Sequence, residues 1–282
     1  MKEFYIPVGD WFEAFITFLK TNLEGLFEGI RVTLGFMIHH LEQAFNFLPW
    51  WLMVVLVSLI LWRRVGWGLA LFSTLGLVLV RLMNLWDETM LTVALVLIAT
   101  SLALAIGLPL GIWAARNKVV QKIARPTLDL MQTMPAFVYL IPAVTFFSLG
   151  TVPGAFATII FAMPPAVRLT ELGIRQVPVE VVEAALSFGA TPRQLLFKVQ
   201  LPIAMQTIMA GVNQTIMLSL SMVVIAAMIG APGLGRVVFG SIQMMEIGQA
   251  FEGGLSIVVI AIILDRLTQS FGSNRNTKKN TP

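Results

Sequence analysis

The run from Thr89 to Ala115 contains no charged side chain, and it constrains this chain more than any other stretch. A segment that long and apolar can lie in a hydrocarbon layer roughly 30 Å thick only if its backbone bonds to itself, which makes it a helix. Similar runs recur at 47–62, 65–80, 127–149, 152–167, 203–229 and 251–269. The pattern predicts an all-α, polytopic membrane protein of about seven transmembrane helices. Composition agrees, since 57% of residues are hydrophobic and 12% charged, too apolar a mix for a soluble domain. There is no cysteine, which excludes disulfides and thiolate metal sites.

Residues 1–46 read differently. Trp11, Phe12, Phe15, Phe18 and Leu19 are interrupted by Asp10, Glu13 and Lys20, and Leu23, Leu26, Phe27, Ile30, Leu34 and Met37 recur at helical spacing. This predicts an amphipathic N-terminal segment, extracytoplasmic or interfacial, lying at the membrane surface or on the bundle. No apolar stretch resembling a cleavable signal peptide is visible. The expected division continues with an accessory hairpin at 47–86, which either spans fully or is re-entrant. A core follows at 87–270, and a polar, disordered tail at 271–282. His39 and His40 have no evident metal-ligand partners and read as solvated or interfacial residues.

Charge sorting sets the orientation. The formal net charge of +4 suits loops on one side of a membrane better than nucleic acid, because the basic residues sit in short connections and the tail. Arg63-Arg64, the Arg116–Pro126 loop, the stretch bracketed by Arg168 and Lys198, and the tail fall on one side if the spans alternate. The N-terminus, Asp87-Glu88 and the 230–250 loop fall on the other. The expected arrangement is an N-terminus outside and a C-terminus in the cytoplasm, in a multi-pass cell-membrane protein. Asp129 lies close to the cytoplasmic interface and reads as a solvated or capped residue.

The polar interlude EAALSFGATPRQLLFKVQLP, Glu183 to Pro202, carries the sharpest local signals. Pro178 suits a first helical position, with Glu180 and Glu183 near the positive helix start. Gly189 permits a left-handed exit. Thr191-Pro192-Arg193-Gln194 reads as a capping box with proline at N1. The short helix it opens places Leu195, Leu196 and Val199 along one side, and Pro202 marks entry to the next span. With the small residues Ala184 and Ala185, this is a helix–turn–helix with a ridge suited to a partner's groove.

Glu183-Ala184-Ala185, Gly189, Val199 and Leu201-Pro202, at their spacing, resemble the EAA loop of ABC importer permeases; the family usually has Ile where this chain has Val199. DLMQTMPAFVYLIP (129–142), FAMPPAVRLTELGIRQVP (161–178) and LSMVVIAAMIGAPGLG (220–235) are similar to permeases of the glycine betaine/proline subfamily. The resemblance covers roughly residues 85–270. It implies a type I permease core whose loop at 178–202 docks on a separate ATP-binding subunit through Glu183, Ala184, Ala185, Gly189, Thr191, Leu201 and Pro202. It further implies a second copy of the chain and an extracytoplasmic binding protein. The implied cargo is glycine betaine or a related solute such as proline betaine, carnitine or choline. Other small solutes (amino acids, sulfonates) and a stand-alone ion-coupled transporter or channel are the competing readings.

No catalytic constellation is present. The chain lacks a phosphate-binding G-x-x-x-x-G-K-[ST] loop, HExxH and GxSxG. It is therefore expected to be a transport subunit and not an enzyme, with ATP and Mg bound by the partner and no cofactor of its own. Polar residues inside spans supply the candidate path. Gln206, Asn213, Met217 and Ser221 share one side of the sixth span, serving either helix–helix hydrogen bonds or a wet passage. Phe137 and Tyr139 lie between Pro135 and Pro142, where they pack or attract a cation through their ring faces.

Overall fold

The computed structural model describes residues 7–272, and no strand occurs among them. The chain opens with α1 (Val8–Asn22) and α2 (Glu24–Phe47), then turns through 99° into α3 (Trp50–Arg64). α1 buries only Ile16, whereas α2 lies on the bundle, with Leu34 and Ile38 enclosed. α4 (Trp67–Leu82) pairs with α3, and Ser58 bonds to Ser73 at 3.2 Å and to Thr74 at 2.7 Å. Such hydroxyl pairs fasten helices where lipid offers no competing donors.

Among the described residues, four helical stretches are long and apolar enough to cross a membrane unaided: Trp86–Arg116, Thr151–Arg175, Pro192–Ile229 and Ile247–Ser270. Two bent pairs, α2 with α3 and Lys118–Thr133 with Ala136–Phe147, raise the number to six. α4, with 16 residues, is the remaining apolar helix. At about 1.5 Å per residue it is shorter than the hydrocarbon layer.

Three of these form the centre: α5 (Trp86–Arg116), α8 (Thr151–Arg175) and α11 (Leu201–Ala226). α8 is clamped between the other two by small residues. A Cβ on Gly111 of α5 would lie 2.6 Å from the Val167 carbonyl oxygen, and one on Gly211 of α11 would lie 3.1 Å from the Pro165 carbonyl oxygen. Backbones brought this close gain van der Waals contact, the main packing energy available inside lipid. Thr100 donates to Ser219 at 3.0 Å, tying α5 to α11 directly.

The connections depart from expectation in three places. The basic stretch after Arg116 is helical: α6 (Lys118–Thr133) starts at once because the Asn117 side chain accepts from the Val119 and Val120 amides. The expected straight span at 127–149 is instead broken. Met134 is extended, as the residue before a proline tends to be, and the chain bends by 108° into a 3-10 turn (Ala136–Tyr139) and α7 (Leu140–Phe147). The expected loop at 230–250 holds α12 (Leu234–Gln243), whose Leu234 amide donates to Thr92 at 2.8 Å. α13 (Ile247–Gly272) closes the bundle and takes in the first two residues of the tail expected at 271–282; the rest of that tail lies outside the described residues.

Candidate functional site

α8 ends at Arg175, and its chain turns through Gln176–Pro178 into α9 (Val179–Ser187). Pro178 is the N-cap and not the first helical residue: its ψ of 136 is extended, and its carbonyl accepts from Val181. Nothing on α9 is buried. Glu183, Ala184, Leu186 and Phe188 are exposed, Phe188 at 93% of its surface. Gly189 takes φ +79, and the Ala190 amide reaches back to the Ala185 carbonyl at 3.1 Å. That bond, with a left-handed glycine before it, is the Schellman ending of a helix.

Thr191 then opens the next helix. Its hydroxyl accepts from the Gln194 amide at 3.3 Å, and the Gln194 side chain accepts from the Thr191 amide at 2.9 Å, with Pro192 at N1. The capping box is therefore formed as its spacing indicates. Its helix does not stop at Pro202, however. α10 (Pro192–Gln194) runs through a π-helical turn at Leu195–Gln200 into α11, giving one helix of 38 residues from Pro192 to Ile229. Pro202 has no N–H to donate and its ring crowds the carbonyl four residues back; the wider turn, with Leu201 donating to Leu196, relieves both. Leu196 anchors this end of the loop, packed with Ile174, Ala204 and Ile208, and Leu201 lies against them.

The structure keeps the four candidate path residues of α11 on one side and parts Phe137 from Tyr139. Gln206, Met217 and Ser221 are exposed on the side of α11 that no described element covers, and Asn213 is half-buried. The Asn213 Oδ1 is enclosed without a partner among the described residues. The opposite side is satisfied internally, with Thr215 bonded to Gly211 and Ser219 to Thr215. Phe137 is exposed in the 3-10 turn. Tyr139 is not: its ring packs edge-on to Phe161 and beside Met222, and its hydroxyl donates to the Met131 carbonyl. The turn thus touches α11 next to Ser221, far along the helix from Gln206.

One polar cluster escaped the sequence reading. Glu171 of α8, buried, accepts from Gln121 at 2.5 Å and from Arg125 at 2.9 Å on α6, with Arg175 at 4.0 Å. Asp129 is solvated, as expected, with most of its side chain exposed, and it also pairs with Arg168 of α8. A single acid three residues after Arg168 and four before Arg175 was the available signal.

The family model for the binding-protein-dependent transport system inner membrane component matches residues 107–274. The chain is 48% identical over 275 residues to the glycine betaine/proline betaine transport system permease protein ProW of Escherichia coli (strain K12), covering 98% of this chain and 78% of that protein. It is 45% identical over 275 residues to the glycine betaine transport system permease protein OpuAB of Bacillus subtilis (strain 168), covering 98% of each. A glycine betaine/carnitine transport permease protein, GbuB of Listeria monocytogenes, is 50% identical over 277 residues, covering 97% of this chain and 98% of that one. Among solved structures, an inward-facing form of the MetNI methionine ABC transporter superposes with a TM-score of 0.58 at 23% identity, over 70% of this chain and 96% of that one. That likeness concerns the fold.

Proposed function

The chain belongs to the binding-protein-dependent transport system inner membrane component family, and we propose that it is the permease subunit of an ATP-driven importer of glycine betaine or a related compatible solute. The observation that carries this reading is the outward-projecting α9, none of whose residues is buried, closed by a Schellman ending and followed at once by a capping box. A helix held so firmly and left uncovered is built to be gripped. The names of the relatives at 45–50% identity supply the cargo class.

In this reading ATP and Mg are bound and hydrolysed in a partner subunit, which seats Glu183, Ala184, Ala185 and Gly189 in a groove. A binding protein outside delivers the solute, and two copies of the chain enclose its route. α11 suits a zwitterion, which has no net charge: from Leu201 to Ala226 it has no ionisable side chain. Gln206, Asn213, Met217 and Ser221 form the route's wall, with Phe137 at its bend. ATP-driven closure of the partner moves α9 and shifts the bundle between two states that it stabilises differently. With α9 on the cytoplasmic side the C-terminus lies inside, and with α3 and α4 crossing together as a hairpin the N-terminus lies outside.

The test is glycine betaine uptake in vesicles holding the chain, its ATP-binding subunit and the binding protein. The double variant Glu183→Arg, Gly189→Trp should assemble its membrane bundle yet lose ATP-dependent uptake. Normal uptake by that variant would overturn the docking assignment, and uptake by the chain alone would overturn the whole reading.

A further inference from the structure

α6 and α8 run antiparallel across a polar joint, with Gln121 and Arg125 on the buried Glu171 carboxylate and Asp129 on Arg168. The Glu171 side chain is 5% exposed whereas that of Arg125 is 60% exposed, so the carboxylate is enclosed and one of its partners is reached by water. Removing a partner from an enclosed carboxylate is strongly unfavourable, so the joint holds under load. On one side of it stands a rigid block: α8, clamped by Gly111 and Gly211, continues through three residues into α9. On the other side stands α6, which bends by 108° into the turn bearing Phe137.

We infer that Glu171, through Gln121 and Arg125, is a positioning residue that passes movement of the docking helix α9 to the bent arm at Phe137, and so sets how much solute moves per ATP. The inference rests on the transport reading above. α9 displaces α8 together with the helices that clamp it; the charged joint, which stays closed throughout, carries α6 with them; the bend turns that travel into a shift of the aromatic turn beside Ser221. None of Glu171, Gln121 and Arg125 is among the residues assigned to docking.

The experiment uses the reconstituted complex and measures both glycine betaine uptake and ATP hydrolysis. Glu171→Gln keeps the shape and removes the charge. Arg125→Gln removes one guanidinium while Gln121 and Arg175 still face the carboxylate, and Arg125→Lys keeps its charge. In Glu171→Gln and Arg125→Gln, hydrolysis stimulated by the loaded binding protein should persist while solute delivered per ATP falls about fivefold or more, the lower end of usual coupling strengths. Arg125→Lys should restore most of the ratio. A role confined to stability would lower both activities together and leave the ratio unchanged, and that result overturns the inference. An unchanged ratio at normal activity overturns it equally. A wild-type complex without ATP-dependent uptake would instead refute the transport reading, and this inference with it.

Discussion

Single residues divide into those whose role is local and those whose partners lie far off in the chain. Thr191 was legible because its capping partner, Gln194, is three positions away and the geometry of a helix start dictates that spacing. Glu171 was not, because Gln121 and Arg125 lie 50 and 46 positions from it, and only the antiparallel seating of α6 on α8 brings them together. Gly111 is of the second kind as well. Its missing Cβ matters only because the Val167 backbone and the Thr170 side chain, each 2.6 Å from where that atom would sit, occupy the space. Gly111→Ala should force α5 and α8 apart and lower stability by about 1–3 kcal/mol, the usual cost of overpacking. Thermal unfolding of the purified protein would show it as a lowered midpoint, while Gly240→Ala, where nothing lies within 4 Å, would not.

Elements were legible where a long apolar run dominates, as in α5 and in α13 between Glu252 and Asp265, and poorly legible where polar residues hide a helix. α6 was read as a loop because Lys118, Lys122 and Arg125 suggested solvent, yet it is helical, capped by Asn117 with Gln121 and Leu128 facing inward. α12 was missed because its glycine-rich approach resembled a plain turn. The break at Met134-Pro135 shows the opposite error, since an apolar run concealed a sharp bend. That bend is held by the Tyr139 hydroxyl on the Met131 carbonyl. Tyr139→Phe should therefore cost about 0.5–1.5 kcal/mol of stability, one ordinary hydrogen bond, and leave the affinity of uptake for glycine betaine near that of wild type. Phe137→Ala, at an exposed ring, should do the reverse, sparing stability and weakening uptake. Uptake and unfolding measured on both variants would separate packing from passage.

For the whole molecule, the class and the centre of the bundle followed from apolar runs, but the count of spans did not, because a bent pair and a straight helix have the same composition. Orientation is open to direct measurement, since the chain has no cysteine and any one introduced is unique. A membrane-impermeant maleimide should label Asp87→Cys in intact cells and reach Lys198→Cys only after lysis; both positions are exposed. The π-helical turn at Leu195–Gln200 adds a constraint on chain length. A π turn is an α-helix holding one residue too many, and it spares the helix beyond it from rotating. Deleting Phe197 together with Pro202→Ala should let the turn close as ordinary α-helix, with every side chain of α11 still on its own face. Inserting one alanine there has no such outlet. It would turn the rest of α11 by about 100°, driving Asn213 toward neighbouring helices and Ser219 away from Thr100. This junction should thus tolerate shortening and reject lengthening, and uptake by the two variants would record the asymmetry.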